Sequence, residues 1–279
     1  MTPAQRGAPA ALAALLLAAA CSPGPAPDPA ASPEAPAGEY LPPPAFARHS
    51  FVWSAAAGVD LASGAAVPAR ALVESAILVV FARDRRSAYP GAERAYPSLA
   101  VAARSNELLG WRGAPTSDYR GTDYLKIMSV LERGDGIEVS VCWEHSHTAQ
   151  LGPGEGAEGG YFQGLGMYAE RVDFEKPEPA GGPAAAQRGP RQAPSGNVFG
   201  AWRAKRLLVD GPAFNGWRAE ARAGSALADR EADEQDAQTQ RCKDESGLPS
   251  RPVENLGART VGPDEPWLAP SPPEPGWPG

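Results

Sequence analysis

The strongly apolar residues of this chain are unevenly spread, and that spread limits how much of it a core can hold. Leu, Ile, Val and Phe make up 46 of 279 residues, too few for a core running the whole length. Residues 47–175 and 197–227 hold 35 of those 46 within 160 positions, a usual size for one domain. Elsewhere Ala, Gly and Pro prevail. Gly and Pro each occur 31 times with no triplet period, which excludes a collagen-like chain. The net charge of −7 lacks the magnitude that accompanies full disorder. It also excludes nucleic acid as the main partner, because neutralising phosphates needs a basic face.

The amino terminus reads as an address. Arg6 and the free amine precede an apolar stretch, Ala8 to Ala20, that carries Leu12, Leu15, Leu16 and Leu17. It is shorter than the roughly 20 residues needed to cross a bilayer and reads as a signal-peptide core. Two cleavage readings compete. Ala18 and Ala20 suit an ordinary secretory peptidase, while Cys21 directly after them resembles a bacterial lipobox. The usual lipobox has Leu three positions before the cysteine; here Ala18 stands there and Leu17 precedes it. Cysteine arithmetic favours lipidation. The three cysteines are Cys21, Cys142 and Cys242, and acylating the first leaves an even pair for a disulfide-permissive compartment. Nine prolines between residues 22 and 45 then form a semi-extended tether.

Periodicity predicts a helix over residues 67–83, apolar nearly all round between Ile77 and Phe81 and so packed on two sides. Tyr89-Pro90-Gly91 follows it. A shorter helix is expected from Leu99 to Leu109. The clearest element is a hairpin of Tyr124 to Glu132 and Ile137 to Glu144 around Gly134-Asp135-Gly136. Its second strand alternates, with Ile137, Val139, Val141 and Trp143 toward the core. Cys142 lies on the other face, so its partner must cross the outside of the sheet, and Cys242 is placed to do so. Further strands are expected at Met167 to Phe174 and Val198 to Val209. Between them, residues 175–196 read as a mobile excursion. Trp217 to Glu245 is compatible with a helix of poor apolar stripe. The tail from Pro249, with nine prolines in 31 residues, is expected to lack regular structure, with Trp267 and Trp277 exposed. The domain plan is a signal at 1–20, a tether at 21–46, one α+β domain at 47–248 and a disordered tail at 249–279.

Chemical motifs are sparse. Gly154, Gly156 and Gly159 spell GxGxxG, but no strand–helix context surrounds them and Glu155 and Glu158 would repel phosphate. Arg133-Gly134-Asp135 is explained by the needs of a tight turn. No GxSxG elbow is present. The cluster Trp143-Glu144-His145-Ser146-His147 is the most reactive composition. In an extended strand His145 and His147 point the same way and two imidazoles can share a metal, with His49 or a remote carboxylate as the third ligand. Without a spaced ligand motif, strand-end polarity is the plainer reading. No metal site, cofactor or catalytic residue is assigned. Trp143, Glu144 and His145 are kept as a possible pocket.

Arg outnumbers Lys 22 to 4, and Ala, Gly and Pro are abundant, a codon bias of high-GC bacteria. The Cys21 signal, the Pro/Ala tether, the helix followed by Tyr89-Pro90-Gly91, the hairpin with Cys142, the later Cys242 and the Pro/Trp-rich end together resemble cell-envelope lipoproteins of actinobacteria, of the mycobacterial and nocardial type. That resemblance implies an NTF2-like or cystatin-like fold, with N-terminal helices packed on a curved antiparallel sheet. The fold hosts enzymes and non-catalytic modules alike. The expectation is therefore an extracytoplasmic, lipid-anchored (palmitate-bearing) protein of the cell membrane with a non-catalytic binding or interaction module. Its partners would be the membrane and an envelope protein, polysaccharide or small ligand. The alternatives are a secreted protein, a small acid–base enzyme using Trp143, Glu144 and His145, and a structural protein touching the cell wall.

Overall fold

A computed structural model describes residues 40–99, 118–151, 161–163, 166–177, 186–209, 226–251, 260–262 and 264–278. The signal, Cys21, most of the tether, the GxGxxG segment and the Leu99–Leu109 helix beyond its first residue lie outside the described residues.

The fold is mixed α+β. Among the described residues, eight strands form one sheet: β1 Arg48–Ala55, β2 Tyr119–Arg133, β3 Gly136–Glu144, β4 Thr148–Leu151, β5 Tyr161–Gln163, β6 Met167–Glu175, β7 Ala204–Val209 and β8 Thr260–Val261. Their order is β7-β6-β3-β2-β4-β5-β8, and β1 also pairs with β2. The expected sheet was antiparallel throughout, and one pair corrects this: β1 and β2 run parallel, Arg48 opposite Arg120 through Ala55 opposite Ile127. Parallel neighbours need a long crossover, and α1, Ala66–Ala82, lies within it.

Helix α1 is buried from Ala66 to Phe81. With so many Ala, Val, Leu and Ile residues it has no face for water. It shares one core with Trp53, Leu125, Ile127, Val139, Val141, Trp143 and Val172. The expected alternation of β3 holds, since Val139, Val141 and Trp143 join this core. Cys142 belongs instead to a separate cluster with Ala169 and Cys242. A short helix α2, Ala92–Ala95, follows Gly91. The third helix, α3, spans Ala226–Glu245. It docks on the opposite face of the sheet from α1, mostly through polar groups. Gln235 donates to the Ala169 carbonyl, and the Ala169 N–H donates to Thr239 Oγ1 at 3.2 Å. Helices thus cover both faces.

Two irregularities shape the sheet. Between Ile127 and Ser129 the β2–β3 register shifts, making Met128 a bulge. The second lies at the end of β3. Tyr124 pairs with Glu144 and Gly121 with Thr148, so Thr122 and Asp123 of β2 face three residues, His145 to His147. Gly121 sits at φ +100°, and a Cβ there would lie 2.1 Å from the His147 carbonyl oxygen. Only glycine permits this approach.

The ends of the domain correct the expected boundaries. Phe46, assigned to the tether, is buried, its ring tilted against that of Tyr119 at 5.1 Å. Residues 186–196, expected to be mobile, run along the C-terminal segment, with Gly189 bridging to Gly276 and Arg191 to Trp277. The strand expected from Val198 begins only at Ala204, because Val198, Phe199 and Trp202 turn into the core. The Pro-rich end is packed: Leu268 is buried, Trp267 is half-buried, and Trp277, expected to be exposed, is 1% exposed. The reason is hydrogen bonding, since its indole finds an acceptor inside the fold.

Cys142 and Cys242 are joined, closing a separation of 100 residues. A helix so poor in apolar contacts depends on that link. Replacing both cysteines by serine is expected to lower stability by about 5 kcal/mol in the chain-entropy argument. Amide exchange should quicken in residues 233–245, while β2 and β3 stay protected. Equal loss of protection across the sheet would contradict this.

Candidate functional site

Two buried carboxylates organise the core, and neither is on a loop. The first is Asp123 on β2. Tyr119, Gly121, Asp123, Leu125 and Ile127 share one face by alternation, so the aspartate stands at a core position. Its register partners from β1 follow the same phase, with His49 opposite Gly121 and Phe51 opposite Asp123. The Asp123 side chain is fully buried. His49 Nε2 is 2.9 Å from Oδ2, His145 Nδ1 is 2.8 Å from Oδ1, and Trp143 Nε1 donates to Oδ1 at 2.8 Å. Around them, Tyr119 Oη lies 3.1 Å and Thr148 Oγ1 3.0 Å from His145 Nδ1. Phe81 stacks on the His145 ring at 5.5 Å.

Burial alone pushes the Asp123 carboxyl up. The His145 and His49 imidazoles, with the hydrogen bonds they donate, outweigh it and hold the group well below the usual carboxylate range. Burial, then Asp123, pushes the Tyr119 phenol well above its ordinary value. A carboxylate with donors on both oxygens and no open lone pair is suited to fixing its neighbours rather than to taking a proton from a substrate.

The second carboxylate is Glu74, one turn after Arg70 on α1. Trp53 Nε1 donates to Oε1 at 2.7 Å, and Tyr89 Oη and Trp277 Nε1 donate to Oε2 at 2.7 and 3.0 Å. Arg70 stacks 4.3 Å from the Trp277 ring and donates to the Leu61 and Pro275 carbonyls. Burial raises the Glu74 carboxyl, against the pull of Arg70 and the three donors. The guanidinium stays charged, as arginine does in proteins.

The structure divides the residues read as a possible pocket. Trp143 and His145 lie on the core face at Asp123. Glu144 points to the other face, where Oε1 accepts the Ser146 N–H at 2.8 Å and Oε2 is buried without a hydrogen-bond partner. The bulge separates the two histidines as well, correcting the expectation that they point the same way. His145 goes to Asp123, whereas His147 meets the Tyr124 ring at 5.1 Å. Burial, with Arg251, lowers the His147 imidazole against the pull of Glu144. Among the described residues, no group of three or more His, Cys, Asp or Glu is placed to hold a metal ion. A groove of about 180 Å³ lies elsewhere, beside the disulfide, lined by Met128, Ser140, Gln238 and Arg241. Asp135 of the hairpin turn is exposed and pairs with Lys205 at 2.9 Å, so the turn reading of Arg133-Gly134-Asp135 suffices.

Arg70, Glu74 and Asp123 escaped the sequence reading. Their signal is a charge in phase with the core: an Arg/Glu pair four apart inside an all-apolar helix, and an acid at an inward strand position.

No family model matches the chain, and neither a curated protein nor a solved structure does. No described helix is long and apolar enough to cross a membrane.

Asp123→Asn is expected to cost about 3 kcal/mol, because it removes the charge that the buried donors were placed to meet. The native carboxyl titrates below its unfolded value of about 3.9. Its contribution is therefore complete above that pH and is lost as pH falls toward the native value. Denaturant unfolding of both proteins should show the gap shrinking from pH 6 to pH 3. A gap that is constant or widens on acidification would contradict the assignment.

Proposed function

We propose that the chain is an extracytoplasmic lipoprotein, anchored to the cell membrane by acylated Cys21, that carries one non-catalytic α+β binding module. The observation that carries this reading is the Cys142–Cys242 bridge. It uses two of three cysteines and leaves Cys21 alone, directly after the apolar stretch 8–20. A structural bridge suits an oxidising compartment outside the cytoplasm. The non-catalytic part draws on the Asp123 and Glu74 carboxylates, whose oxygens accept hydrogen bonds from within the protein.

An NTF2-like domain is the finer fold reading. Its support is an apolar helix laid on a mainly antiparallel sheet; the parallel β1–β2 pair and the helix on the opposite face speak against it. The acid–base enzyme reading needs Trp143, Glu144 and His145 around one cavity, and strand alternation parts them. The wall-contacting reading relied on exposed Trp267 and Trp277, of which the latter is buried.

Expressed in a bacterium with lipoprotein processing, the mature chain should begin at Cys21 and carry the mass of a diacylglycerol thioether. It should partition into detergent, and Cys21→Ser should move it to the aqueous phase. An unmodified Cys21 in the mature protein would defeat the anchor.

A further inference from the structure

Residues 274–277, Glu-Pro-Gly-Trp, lie in the fold as a bound peptide lies in a receptor. Their main chain is paired on both sides. On one side Trp53 N–H donates to the Glu274 carbonyl, an isolated parallel bridge at Val52 on β1. On the other, Gly189 N–H donates to the Gly276 carbonyl at 3.1 Å, and Arg191 exchanges both main-chain bonds with Trp277, at 3.1 and 2.8 Å. Pro275 has no N–H to satisfy, and its carbonyl takes Arg70. Strand addition of this kind supplies affinity through the main chain and specificity through one side-chain pocket.

The pocket here takes the indole of Trp277. Its N–H meets Glu74, its face meets the Arg70 guanidinium, and its edge meets Tyr89 at 6.1 Å. Glycine at the preceding position is required by space. A Cβ on Gly276 would lie 2.3 Å from the Gly189 carbonyl oxygen, and one on Gly189 would lie 2.4 Å from that of Trp277. Of the flanking residues, Ala269, Pro270 and Pro272 are exposed, while the Ser271 N–H donates to Thr122 Oγ1 at 2.9 Å. Recognition thus rests on directed bonds to a short segment, not on a continuous apolar seam.

We propose that the channel between β1 and residues 189–191 is a peptide-recognition site that this chain fills with its own C-terminal segment. Its ligand class is an extended peptide carrying Gly-Trp, and in trans the occupant is the same segment of a second copy. The proposal goes beyond the anchor reading and is independent of it, since it concerns the folded module alone.

The test uses the full chain with a protease cleavage sequence inserted between Ala269 and Pro270. After cutting, the purified protein is mixed with a fluorescent synthetic peptide of residues 270–279. The fragment should stay bound through gel filtration, with circular dichroism unchanged, and should exchange for the labelled peptide. A peptide with Trp277→Ala should compete about 100-fold less well, as expected for loss of a buried aromatic anchor. Three results would overturn the proposal: unfolding on cleavage, retention without exchange, or equal competition by the alanine peptide. The first two would make the segment a fixed part of the core, and the third would remove the indole as the recognised group.

Discussion

A carboxylate in the middle of a helix that has no exposed face sets the terms for this fold. Leaving Glu74 uncompensated in such surroundings would cost several kcal/mol, so the chain has to bring donors to it. Arg70, one turn earlier on the same helix, contributes its positive charge. The hydrogen-bond donors come from distant points: Trp53 on β1, Tyr89 after α1, and Trp277 near the end of the chain. The first strand, the helix, the segment after it and the C-terminal residues therefore meet at one group. Arg70 reinforces the same convergence by reaching the carbonyls of Leu61 and Pro275. Gly189 and Gly276 come close beside this centre, where the Gly189 N–H donates to the Gly276 carbonyl at 3.1 Å.

Asp123 repeats the device one strand further into the sheet. There the donors come from β1, β3 and the bulge after it, so the carboxylate ties the parallel pair to the antiparallel hairpin. The bulge has a clear role in this. The extra residue among His145, Ser146 and His147 sends one imidazole to the core and the other toward Tyr124. Gly121 makes room for the carbonyl that the bulge pushes forward. On the far face the logic is different. Helix α3 has few apolar contacts to offer, and the Cys142–Cys242 bond holds what burial does not.

Much of this was legible from periodicity. The helix at 67–83, the hairpin, the strand from Met167 and the outward direction of Cys142 all follow from spacing of apolar residues, because those elements are defined by one buried face. Three things were not legible, each for a physical reason. The parallel pairing of β1 depends on a crossover that local alternation does not encode. The burial of Trp277 depends on a hydrogen-bond acceptor some 200 residues away, while its Pro-rich surroundings resemble those of a disordered tail. The parting of His145 from His147 depends on one unpaired residue in a strand, which flips every side chain after it. Arg70, Glu74 and Asp123 were missed although they stand in phase with the core, and a charge at such a position is the sign to look for.

Glu74 and Trp277 are bound to each other although 203 positions separate them in the chain. A double-mutant cycle on Glu74→Gln and Trp277→Phe measures this directly, since the phenyl ring keeps most of the packing and loses only the N–H. Urea unfolding of the four proteins should give a coupling of about 2 kcal/mol, the range for a buried hydrogen bond to a charged group. Additive effects, with a coupling near zero, would mean that the C-terminal end is held by packing alone and would contradict the account.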